Sequence, residues 1–254
     1  MTAVFITGAS SGLGRALAWR YARMGARVGL VARREDVLRA LADELPGEPL
    51  IYAVDVRDRA ELHRAAEHFL AANNGRVDVV IASAGISAGT LTEQAEDFDV
   101  FKAIVDTNLL ATLSTFEPFI TPMKRAGSGR LVGIASVAGV RGLPGAGAYS
   151  ASKAAVTTYC ESLRLELHDA GIRVVTIAPG YVRTAMTEKN PYSMPFLMDA
   201  DVFAQRALVA IERGASYKVI PWQMGIVAKL MRLLPNWVYD KAARGAPRKP
   251  RLSK

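Results

Sequence analysis

Seven short apolar runs recur along the chain, near residues 3–7, 27–32, 50–54, 77–82, 130–135, 172–178 and 217–220, and helix-like amphipathic stretches separate most of them. Strands alternating with helices bury themselves best as a parallel sheet with helices on both faces. The expectation is an α/β fold: a doubly wound, three-layer α/β/α arrangement on a seven-stranded, mostly parallel sheet. Half of the 254 residues are apolar, ample for one large core, and no linker or low-complexity segment interrupts them. Residues 1–221 therefore read as one domain and 222–254 as an apolar and basic extension. The first run starts at residue 3, so no signal peptide is expected. No apolar stretch reaches the roughly 18 residues of a spanning helix, so a cytoplasmic protein is expected. One cysteine, Cys160, excludes an internal disulfide and reads as a small core residue. His63, His68 and His168 share no ligand spacing, and no metal is expected.

The first run, Ala3 to Thr7, leads into Gly8-Ala9-Ser10-Ser11-Gly12-Leu13-Gly14 and then a helical pattern. Glycines at such a turn let the backbone approach a pyrophosphate, and the helix N-terminus offers N–H donors and a positive dipole end. The spacing is G-x-x-x-G-x-G rather than G-x-G-x-x-G. A tight turn without a ligand is the competing reading. The second run ends at Arg33-Arg34, where NAD-binding versions place an acidic residue for the ribose. No carboxylate appears until Glu35. A guanidinium fork suits a phosphate dianion, so the expected cofactor is NADP(H), held through its 2′-phosphate. Solvation of a helix start is the plainer use of both arginines.

Tyr149 and Lys153 lie four apart in a helix-like stretch, which places them on one face. A free phenol has a pKa of about 10. A neighbouring ammonium favours the phenolate, and bringing Tyr149 to about 7 needs roughly 4 kcal/mol. Such a group exchanges protons with an alcohol or ketone.

With the turn, the arginines and the Tyr–Lys pair in order, the chain resembles the single-domain short-chain dehydrogenase/reductase family over residues 1 to about 220. The resemblance implies a Rossmann-like fold and matches further residues: Asp55-Val56 beside the adenine, Ala84-Gly85 at the end of the family's Asn-Asn-Ala-Gly motif, and Pro179-Gly180 with Val182 and Thr184 over the nicotinamide. Ser136, thirteen residues before Tyr149, matches the catalytic serine. Asn108 matches the residue that holds a water beside the catalytic lysine. Ala82-Ser83 departs from the family's Asn-Asn, and a local adjustment is expected there. In the implied chemistry hydride passes between NADP(H) and a carbonyl/alcohol pair. Tyr149 exchanges the proton, Ser136 steadies the carbonyl oxygen, and Lys153 tunes Tyr149 and holds the nicotinamide ribose. The substrate loop corresponds to about 185–200, with Met186 and Tyr192; Val140, Leu143 and Ser136 stand on the other side. Neither stretch holds a charged clamp, so a bulky, apolar carbonyl or alcohol is expected. A 3-oxoacyl-carrier-protein reductase and a non-catalytic nucleotide-sensing or membrane-surface protein remain rival readings. The resemblance implies a homodimer or homotetramer.

The net charge of +8 is concentrated at one end. Residues 229–254 hold eight basic residues, Lys254 the last, against Asp240 alone, or +7. Just before and within this tail, Trp222 to Tyr239 is apolar with interleaved cations, which suits packing, a cover over the substrate pocket, a subunit contact or peripheral docking on a membrane surface. Nucleic acid is not expected as a partner, because no recognition module appears and the body is nearly neutral.

Overall fold

The computed structural model describes residues 1–188 and 190–251. Lys189 of the expected substrate loop, and Leu252, Ser253 and Lys254 at the end of the basic tail, lie outside the described residues. Strand and helix alternate through β1 (Ala3–Thr7), α1 (Gly12–Arg23), β2 (Arg27–Ala32), α2 (Glu35–Glu44), β3 (Leu50–Ala53), α3 (Arg59–Ala72) and β4 (Val79–Ala82). Next, α4 (Asp97–Val105) passes through a π-helical turn, Asp106–Leu110, into α5 (Ala111–Ala126). There follow β5 (Gly129–Ile134), α6 (Gly147–Glu166), β6 (Ile172–Pro179), β7 (Val182–Arg183), α7 (Ala185–Glu188) and β8 (Met198–Asp199). The last elements are α8 (Ala200–Glu212), β9 (Tyr217–Ile220), α9 (Trp222–Leu233) and α10 (Asn236–Ala243).

Seven strands form one sheet, ordered β3-β2-β1-β4-β5-β6-β9, and every pairing is parallel. The chain winds outward from β1 to β3, returns to the middle, and winds outward again from β4. Where the winding reverses, between β1 and β4, the loops at the strand ends diverge and leave a crevice.

β1 is buried throughout and feeds both cores. Val4 and Ile6 join Leu17, Ala18 and Tyr21 of α1 and Phe203 of α8 on one side. Phe5 points to the other side, its ring centre 5.3 Å from Phe69 and 4.9 Å from Phe119. Strand side chains alternate in direction, and with helices on both faces each direction is apolar. Cys160 lies in this second core, and burial pushes its thiol up to about 11.

The extension packs on the domain. Met224 and Ala228 of α9 meet Val137, Val140 and Tyr181. Arg141 donates to the carbonyls of Met231 and Leu234 at 3.3 and 3.1 Å, and its guanidinium lies 4.2 Å from the centre of the Tyr239 ring. Beyond α10 the tail crosses back: the Gly89 N–H donates to the Pro250 carbonyl at 2.9 Å, and Arg251 pairs with Glu96 and Asp97 at 2.9 and 2.8 Å.

Candidate active site

β1 ends in a turn whose glycines have steric reasons to be there. Gly8 has φ +70°, and a Cβ on it would come within 2.8 Å of the Ala84 backbone. A Cβ on Gly14 would overlap the Gly8 carbonyl oxygen, so α1 approaches the strand end as closely as backbone allows. Ser11 caps α1 without a side-chain hydrogen bond, and no acidic residue lies in the first turn. The first N–H groups of the helix thus keep their capacity for an anion. Thr7 Oγ1 accepts from the N–H groups of Ser83 and Ala84 at 3.2 and 3.4 Å. That clasp holds the end of β4, where Ala82-Ser83 stands.

A cleft of about 330 Å³ runs along the carboxyl ends of the strands. Its walls bring together all the expected cofactor residues: Gly8, Ser10 to Gly14, Arg33, Arg34, Asp55, Val56, Ala84, Gly85, Pro179, Gly180, Val182 and Thr184, with Ser136, Tyr149, Lys153 and Met186. Arg33 and Arg34 are exposed, and Arg34 reaches the Ser10 hydroxyl at 3.5 Å. The same wall holds Arg57, which the sequence reading missed. Arg57 binds Asp55 at 2.6 Å, and its hydrogen bonds, with the charge of Arg33 adding a smaller part, hold the Asp55 carboxyl below the usual range. The Asp-x-Arg spacing was its signal: the Arg57 N–H also bonds Asp55 at 3.0 Å, a local turn. Ile86, Thr107 and Ala135 line the cleft as well. They are small or apolar and carried no chemical signal in the sequence.

Asn108 sits in the π-helical turn, fully buried. Its Oδ1 accepts from the Ile86 N–H at 2.8 Å, and its Nδ2 donates to the Ile86 carbonyl and to Ser152 Oγ, both at 3.0 Å. The side chain is therefore spent on clamping the loop after β4 to α6. A π-turn, which displaces one residue from the helical ladder, is a recurrent device at functional sites. Lys153 is buried and donates to the Ile134 carbonyl at 2.7 Å. Its Nζ stands 5.9 Å from the centre of the Tyr149 ring. Burial of the ammonium lowers Lys153 to about 8. Ser136 opens a 3-10 turn, Val137–Gly139, and accepts from the Ala138 N–H at 3.1 Å.

Tyr149, in the first turn of α6, requires a correction. The spacing argument has Lys153 drawing the phenol down toward 7. In the folded chain burial pushes Tyr149 up from 10.0, with a hydrogen bond from Ser136 opposing. Helix spacing reports the ammonium but not the desolvation, and the ammonium is already turned to the Ile134 carbonyl. At neutral pH Tyr149 is thus an intact phenol, poised to give a proton.

The expected substrate residues separate. Ser136 and Met186 line the cleft, whereas Val140 packs beneath α9 on Met224 and Ala228. The Leu143 N–H meets Ser150 Oγ at 3.4 Å, outside the cleft wall. Tyr192 stacks edge-on to Tyr181 at 6.4 Å, and its phenol is raised by burial, with Tyr181 and Tyr149 adding smaller parts.

A family model described as short chain dehydrogenase matches residues 2–194. The chain is similar to an uncharacterized oxidoreductase of Myxococcus xanthus, 40% identical over 244 residues, which span 94% of this chain and 95% of that one. It is also similar to an Arabidopsis thaliana protein called 11-beta-hydroxysteroid dehydrogenase-like 4A, 32% identical over 252 residues, or 95% of this chain and 83% of the other. Among solved structures it is similar to an alcohol dehydrogenase of the archaeon Thermococcus sibiricus in complex with 5-hydroxy-NADP, with a TM-score of 0.77, 27% identity, and coverage of 87% and 96%.

Proposed function

The chain belongs to the short-chain dehydrogenase family, and from that premise we propose that it is an NADPH-dependent reductase of a bulky, apolar carbonyl compound. The observation that carries the reading is one continuous cleft with Arg33, Arg34 and Arg57 at one end and Ser136, Tyr149 and Lys153 at the other. The cradle fits a dinucleotide: Gly8 and Gly14 leave no room for side chains, and the uncapped α1 offers donors to a pyrophosphate. Arg33 and Arg34 would hold the 2′-phosphate, and Arg57 stands beside them. When bound, the nicotinamide supplies the hydride.

The chain's own residues handle the proton. Burial keeps the Tyr149 phenol protonated, so it donates to the substrate oxygen as charge develops there. The Ser136 hydroxyl, in the same cleft wall as Tyr149, shares that oxygen and steadies its charge. Lys153 supplies a fixed positive charge to the phenolate left behind, and Asn108 fixes the backbone around it. Met186 in the cleft wall favours an apolar substrate, and a relative whose name refers to hydroxysteroids agrees with that class.

Replacing Arg33 and Arg34 by Ala tests the cofactor assignment. The KM for NADPH should rise about tenfold or more, since two charge-assisted contacts are lost, while the KM for NADH stays as it was. An unaltered ratio of the two would refute the phosphate role.

A further inference from the structure

α9 carries two apolar stripes on opposite sides. Met224, Ala228 and Met231 form the inner one, packed on Val137, Val140 and Tyr181. Trp222, Ile226, Leu230 and Leu233 follow at intervals of four, four and three, which places them on one outer face. Those four side chains are 50 to 79% exposed, and Trp237 in the first turn of α10 is 74% exposed. Soluble surfaces scatter such residues singly, and a row of them marks an interaction surface. We propose that this stripe seats the protein on an anionic lipid surface.

Charge selects that occupant. Among the described residues, Lys229, Arg232, Lys241, Arg244 and Arg248 make no ion pair with one another's neighbours or with any acidic group, whereas Arg251 is satisfied by Glu96 and Asp97. Lys229 lies three residues from Ile226 and four from Leu233, at the edge of the apolar stripe. A second copy docked through a twofold axis would bring a like set of cations against this one, at an electrostatic cost. An anionic bilayer offers the opposite sign, about 1 kcal/mol for each Lys or Arg near its surface. Exposed indoles suit that boundary, apolar in the ring and polar at the N–H. The inner stripe of α9 touches Val137, the residue after Ser136, so docking brings the substrate side of the cleft toward the lipid. Only that last consequence rests on the proposed reductase activity; the docking itself does not.

The test uses the full chain with phosphatidylcholine vesicles, with and without about a quarter phosphatidylglycerol. Co-sedimentation is read for the native protein, for Trp222→Ser with Leu230→Ser, and for Lys229→Gln with Arg232→Gln. All four positions are exposed, and thermal melts check that each variant is folded. The native protein should bind the phosphatidylglycerol vesicles, and each double variant should bind them about tenfold or more weakly. No binding by the native protein overturns the proposal. So does binding that survives loss of Trp222 and Leu230. Sedimentation velocity without lipid covers the second-copy alternative: a self-associating native protein that becomes monomeric in Trp222→Ser with Leu230→Ser would also overturn it.

Discussion

Tyr149 and Lys153 show what a spacing reveals and what it hides. Four residues on a helix place them together, and the sequence suffices for that. Their ionisation depends on how much water the fold removes, which no local pattern reports. Lys153 is buried with a backbone carbonyl and no carboxylate partner, so its ammonium is a cost to the fold. The unfolded chain holds that proton up to about 10.5, the folded chain only to about 8. Between those values the unfolded state binds more protons, so stability from this group rises with pH over that window, and the cost is complete below about 8. Lys153→Met should therefore stabilise the protein by about 2–3 kcal/mol at pH 7. The gain should shrink toward pH 10, and turnover should be lost. Urea melts of both proteins at pH 7 and pH 9.5 read this directly; equal stability at both values would contradict it.

At the scale of elements, the seven strands fall close to the apolar runs, because inner strands such as β1 and β4 are apolar toward both helical layers, while the edge strand β9 keeps Tyr217 and Lys218 exposed. The cofactor turn was legible for a steric reason, as glycine is required at Gly8 and Gly14. Gly14→Ala should destabilise the fold by about 2–4 kcal/mol, through overlap with the Gly8 carbonyl, and weaken dinucleotide binding. Gly142→Ala is the control, since a Cβ there meets nothing within 4 Å, and its effect should stay within about 0.5 kcal/mol. Equal melts for the two variants would show that the close approach of α1 does not matter. Long-range pairings were not legible. Thr7 clasps backbone 76 and 77 residues away, and Arg251 pairs with a carboxylate 154 residues away. Both are ordinary residues until the fold sets them beside their partners.

For the whole molecule, alternation of strands and helices implies a parallel sheet but not its strand order. The reversal between β1 and β4 creates the crevice and explains why residues from 8 to 187 meet along one cleft. The extension that begins at α9 packs its inner face on Val137, Val140 and Tyr181. The relation between the two ends of the cleft, arginines at one and Tyr149 at the other, carries the functional account.

That account is tested most directly by NADPH oxidation with a series of ketones of increasing apolar bulk, in the native protein and in Tyr149→Phe. The native rate should rise with apolar bulk. The Phe variant should lose about a hundredfold or more, as expected for removal of a general acid, while binding NADPH as tightly as before. A Phe variant that turns over as fast as the native enzyme would contradict the account.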